Sequence, residues 1–271
     1  MKNILLIPCL LIVTFSYTQD SLYSWNETFK VEENTISGWN VDAFGNLIVA
    51  SSSSIRKFNS AGDLSYKISS KAFGEIKQII SITPFKLVLF SEQQQQICFL
   101  DNTLTPVDLC IDLGDYDIGF ASLIGRSSRG GKLWVFDQVN SELLLIDLMK
   151  PGKIVQEIRN TQGLISLGDL VEILEFESDL HVLDKSGKLT ICDLNGSLFS
   201  QNTLNCKGMS VSENRVWLRN EKEIFLFSDG EIASPFFQLP FNEIEHFRTF
   251  SDLFYFQFKD KISCLRLVKK K

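Results

Sequence analysis

Along most of the chain, apolar and polar residues alternate with a period of two. That is the signature of strands half-buried in sheets rather than of helices. Six segments share one grammar of an apolar strand, a polar turn and a second alternating strand: 46–64, 85–104, 132–153, 179–198, 215–231 and 252–270. A further strand precedes each pair, at 37–44, 76–83, 118–125, 171–177, 208–213 and 244–250. One more follows each of the first five, at 63–69, 106–113, 153–158, 197–204 and 231–239. The leading strands recur about every 40 residues, which is the period of a four-stranded propeller blade.

The last unit ends one strand short, whereas residues 22–32 form a spare alternating strand ahead of the first unit. If the spare strand completes the last sheet, no broad unpaired edge is left open to association. The pattern therefore predicts an all-β fold, a six-bladed β-propeller closed by an N-terminal strand completing the last blade. An open sandwich is the alternative.

The first residues read differently. Lys2 precedes an apolar run from Ile4 to Phe15 and a small polar exit to Gln19, the layout of a secretory leader and too short to span a bilayer. The expected organisation is a signal peptide over 1–19 and one propeller domain over 20–271, exported and resident in the periplasm.

Export bears on the cysteines, because an oxidising compartment permits disulfides. Without Cys9 there remain Cys98, Cys110, Cys192, Cys206 and Cys264. Neighbouring strands bring Cys98 near Cys110 and Cys192 near Cys206; the alternative is that all five are small buried hydrophobes. No CxxC pair occurs and only His181 and His246 are available, a poor basis for zinc. With 27 basic and 33 acidic residues the net charge is −6, which argues against a nucleic-acid partner.

Chemistry-bearing motifs are scarce. No GxSxG, HExxH or P-loop pattern is present, and both histidines lie inside strands, where a structural role is the ordinary one. Gly125 to Lys132 is rich in glycine and serine but lacks the GK[ST] ending of a phosphate loop. The carboxylates of Asp112–Asp117 suit either a solvated turn or calcium. The expectation is a non-catalytic protein without a cofactor, not membrane-spanning, acting by protein–protein contact. A propeller enzyme or ligand-binding module using the central channel is the alternative. Candidate partner contacts are Leu164, Ile165 and Leu167, apolar residues in the long linker 160–169, and Arg126 and Arg129, in a glycine-flanked turn. Apolar residues on a wet face need cover, and arginine is enriched at interface hot spots.

Two resemblances refine this reading. The segment Val41 to Gly62, with its Asp-x-x-Gly-Asn turn and Ile-x-Lys-Phe strand, resembles an NHL repeat. The stretch Pro84 to Leu104, with the leader and the Phe-rich units, resembles exported propeller-type proteins of the Bacteroidota, among them the plug subunit of the type IX secretion translocon. That second resemblance implies a protein that docks on an outer-membrane pore.

Overall fold

The computed structural model describes residues 23–159, 161, 170–228 and 231–270. The expected leader lies outside them. Strand β1 (Tyr23–Glu32) is followed by a first meander of β2 (Ile36–Val41), β3 (Leu47–Ser51), β4 (Ser54–Phe58) and β5 (Leu64–Ser69). The second is β6 (Gln78–Thr83), β7 (Lys86–Ser91), β8 (Gln96–Asp101) and β9 (Ile111–Asp112). The third is β10 (Ala121–Arg126), β11 (Lys132–Asp137), β12 (Glu142–Asp147) and β13 (Ile154–Ile158). The fourth is β14 (Leu170–Phe176), β15 (Asp179–Asp184), β16 (Lys188–Asp193) and β17 (Leu198–Thr203). The fifth is β18 (Gly208–Ser212), β19 (Arg215–Arg219), β20 (Glu223–Ser228) and β21 (Glu231–Gln238), and β22 (His246–Phe250), β23 (Leu253–Gln257) and β24 (Lys261–Lys269) complete the chain.

These strands form a propeller-like arrangement of four four-stranded sheets and one sheet of eight. The spare N-terminal strand lies where the pattern placed it. β1 runs antiparallel to β24, with Phe29 opposite Cys264 and Trp25 opposite Leu267. The leading strands touch in cyclic succession, from β2 through β6, β10, β14, β18 and β22 back to β2.

Eight strands in one sheet depart from the expected set of separate sheets. The third and fourth meanders are joined by one parallel pair, Arg126 with Leu174. Gly125 is the reason: a Cβ there would stand 2.6 Å from the carbonyl oxygen of Ile173. Without it the two backbones approach closely enough to hydrogen-bond.

The second departure is β9, shortened to two residues where a strand over 106–113 was expected. Pro106 has no N–H to give to a ladder, and Leu104 and Asp108 both take positive φ. A disulfide, Cys98–Cys110, holds this segment instead. The other anticipated pair does not form; Cys192, Cys206 and Cys264 are free and buried.

The hairpins close by a shared device. An Asp or Asn at a strand end accepts the backbone N–H groups two and four residues on. Asp42 does so for Phe44 and Asn46, Asn59 for Ala61 and Asp63, and Asp101 for Thr103 and Thr105. Asp184 and Asp193 repeat the pattern. Each side chain satisfies donors that a tight turn strips of partners. Asp42 also forms a buried ion pair with Lys57 at 2.7 Å, and Lys57 donates to the carbonyl of Asn102 in the next sheet.

Between the sheets the core is made of alternate inward residues, with Trp134, Phe90, Phe136 and Tyr255 fully buried. Gly125→Ala is expected to cost about 1–3 kcal/mol through overpacking, read as a lower urea midpoint at unchanged slope. No loss of stability would remove the explanation given for the joined sheet.

Candidate functional site

The inner strands surround a central channel of about 660 Å³ lined by residues of all six. Among the described residues, the charged ones on its wall are Lys77, Arg126, Lys185, Arg248, Glu92 and Glu172. The wall thus carries a formal +2, inside a chain of net −6.

Glu172 and Arg248 form its centre. The Glu172 carboxylate accepts the N–H of Met209 at 2.8 Å and pairs with Nη1 of Arg248. Burial pushes the Glu172 carboxyl upward, and the Arg248 guanidinium opposes that. Arg248 lies over the Trp39 ring at 5.9 Å. Trp39 donates Nε1–H to the Gln257 side chain, which donates in turn to Glu245 at 3.0 Å. This chain of contacts spans the seam between the last and first meanders. Lys77 bonds Glu92 at 2.5 Å and the carbonyl of Ser122 at 2.9 Å.

His246 stands at one mouth of the channel. Its side chain is open to the lumen yet ringed by protein, and burial, helped by Arg248 and Arg219, pulls its pKa down to about 4. A second hollow of about 440 Å³ adjoins this mouth. It contains Arg219, 2% exposed, whose guanidinium reaches only backbone carbonyls of Asn220, Lys207 and Glu245. Its Nε has no partner, and burial lowers its pKa to about 10. His181, by contrast, is packed edge-on against Phe176 and Phe227, with Nδ1 unpartnered and burial favouring its neutral form.

The other candidates are dispersed. Leu164, Ile165 and Leu167 lie outside the described residues. Arg126 is exposed at the end of β10 and faces the channel. Arg129 turns inward, lying over Trp134 at 5.8 Å, donating to Gln156 at 3.0 Å and facing the Glu175 carboxylate at 3.4 Å. Ser127 and Trp134 also donate to Glu175. Burial raises the Glu175 pKa, but these donors outweigh it and the net direction is downward. Asp112 is used locally, capping a short 3₁₀ turn through the N–H of Gly114. No helix among the described residues is long and apolar enough to cross a membrane.

The channel residues escaped motif reading because they come from six separate repeats, and no local spacing connects Glu172 with Arg248. The one available signal was the appearance of charged residues inside otherwise apolar leading strands.

No family model and no curated protein sequence matches the chain. Solved structures do. Virginiamycin B lyase from Staphylococcus aureus is 12% identical, with a TM-score of 0.63 over 91% of this chain and 100% of that one. The Pan2 WD40 domain of Neurospora crassa is 12% identical, with a TM-score of 0.59 over 86% of this chain and 79% of that one. PorZ, described as an essential bacterial surface component of the type IX secretion system of Porphyromonas gingivalis, is 10% identical, with a TM-score of 0.52 over 89% of this chain. The chain spans 38% of PorZ. These likenesses show the fold: a β-propeller.

They also correct the expectation of a non-catalytic protein. Lyases stand among the similar structures, so this architecture carries catalysis, and the lack of a contiguous motif does not separate it from enzymes. In a propeller, catalytic groups come from different blades and leave no local signature.

Two outcomes follow. Glu172→Ala removes the partner of Arg248 and the acceptor of the Met209 N–H and is expected to cost about 1–3 kcal/mol, with Glu172→Gln costing less, as read by chemical denaturation. His246 stays neutral in the folded chain where the unfolded chain takes up a proton. Stability therefore falls as pH drops from about 6.5 towards 4, with His181 acting in the same direction. A melting temperature that is flat between pH 7 and 5, or a slope unchanged in His246→Gln, would contradict this assignment.

Proposed function

We propose that the protein is an exported, periplasmic six-bladed β-propeller acting by protein–protein interaction, docking on an outer-membrane export assembly of the type IX class. The eight-stranded sheet counts as two blades, because each half is a complete meander, and β1 closes the ring as the fourth strand of the last blade. An export leader over 1–19 precedes this single domain.

One observation carries the docking reading. Antiparallel meanders put the β2–β3, β6–β7 and β12–β13 turns on the same face of the ring. Those turns carry Phe44, Phe85 and Met149, which are 49%, 64% and 71% exposed. The rings of Phe44 and Phe85 meet at 5.7 Å across two neighbouring sheets. Arg126 and Lys150 flank this sector, while the corresponding turns across the ring present Glu177, Glu213 and Asp252. An apolar sector with basic margins fits a partner that offers apolar and acidic side chains. The likeness to PorZ, and the resemblance of Pro84 to Leu104 to exported propellers of the Bacteroidota, support the choice of assembly.

A second reading has its own observation. The central channel is open, and its wall sets charged side chains among Ile, Leu and Val rather than closing on a plug of Phe, which favours a ligand-binding or enzymatic use of the lumen.

Purification of the tagged protein from its own cell envelope in mild detergent is expected to recover an outer-membrane partner. The Phe44→Ser/Phe85→Ser variant should lose that partner while melting within a few degrees of the parent. Recovery of the parent only as a free monomer would sink the docking reading.

A further inference from the structure

The contacts of Arg248 are unevenly shared among its nitrogens. Nη1 takes all of them: the Glu172 carboxylate, the carbonyl of Phe247 at 2.9 Å and the carbonyl of Met209 at 3.5 Å. Nε and Nη2 donate no hydrogen bond among the described residues, and neither is among the buried unpartnered atoms. They therefore remain accessible from the channel that Arg248 lines. Nε and Nη2 form the side-on edge of a guanidinium, whose two parallel N–H groups match the oxygen pair of a carboxylate or phosphate. The ion pair with Glu172 and the Trp39 ring beneath hold that edge in place, so little side-chain entropy is lost on binding.

The surrounding field has the matching sign. Glu172 and Glu92 are each paired with a cation, and Arg126 stands exposed on the same wall. Behind the mouth, Arg219 has no carboxylate within ion-pair distance among the described residues. The rim there also carries Asp184, Glu221, Glu243 and Glu245. Asp184 is occupied by the backbone of its own turn and Glu245 by Gln257. Low-dielectric walls around a cationic lumen concentrate anions, and about 660 Å³ is the size of a small-molecule site.

We propose that the central channel is an oxyanion site, in which the Nε/Nη2 edge of Arg248 takes a carboxylate or phosphate group of a small ligand side-on. This rests on the lumen reading and is independent of the docking face.

The test is calorimetric titration of the intact exported chain with citrate, with inorganic phosphate and with glucose as a neutral probe. Binding of citrate or phosphate is expected, weakening as salt is raised, and the stronger of the two identifies the ligand class. Arg248→Lys keeps a cation beside Glu172 but loses the fork, and should weaken binding at least about tenfold. In case that variant is unstable, Glu172→Gln/Arg248→Gln removes both charges together and should abolish binding while the chain stays folded by circular dichroism. Absence of anion binding at millimolar concentration, or binding unchanged in both variants, would overturn the proposal. Glucose binding without anion binding would overturn the oxyanion assignment while leaving the lumen reading standing. Retention of the envelope partner by Arg248→Lys would show that the docking face is separate.

Discussion

Four of the five sheets have an inner edge whose backbone N–H and C=O groups find no further strand among the described residues, and the architecture depends on satisfying those groups. A buried, unpaired peptide group costs about as much as a lost hydrogen bond. The protein answers with side chains from the neighbouring sheet. Gln78 caps both the N–H and the C=O of Ile124. Gln95 does the same for Ala121. Asn40 donates to the carbonyl of Ile79, Glu172 takes the N–H of Met209, and the Ser210 hydroxyl takes that of Thr249. At Gly125 the solution is a direct backbone pair. These bonds join each meander to the next and set the register in which the inner strands stand around the channel.

The seam between the last and first sheets is where a ring made from one chain is weakest. Here β1 lies on β24, and Val31, Phe29, Ile262 and Tyr255 share a core cluster with Trp39 and Leu47 of the first meander. The Tyr255 hydroxyl donates to the carbonyl of Gly45 at 2.9 Å, and Gly45, at φ +78°, is packed on the Phe250 ring. The central Arg248–Trp39–Gln257 contacts belong to the same seam. The pieces that close the ring are thus also the pieces that aim the free edge of Arg248 into the lumen.

Much of this was legible in the sequence. Period-two alternation located nearly every strand, because half-buried sheets leave no other pattern, and the Asp-x-x-Gly-Asn segment marked the Asp42 turn. Where a strand was overestimated, a local feature had intervened, as with Pro106 and the Cys98–Cys110 bond around β9. The channel was not legible, since Lys77, Glu172 and the His246–Arg248 strand are far apart in sequence and come around one lumen only in the folded ring. Arg129 keeps a side chain 32% exposed, with more contacts than its turn suggested. It lies over Trp134 and faces Glu175.

In a ring held together by the β1–β24 pairing, the N-terminal strand and the last sheet unfold as one cooperative unit with the rest. Native-state hydrogen exchange reads this directly. The inter-strand amides of β1 and β24 are expected to exchange together with those of β23 and β19, at the global unfolding free energy and with the same denaturant dependence. Exchange of β1 in a separate step, far below the global free energy and without loss of protection in β24, would contradict closure of the ring.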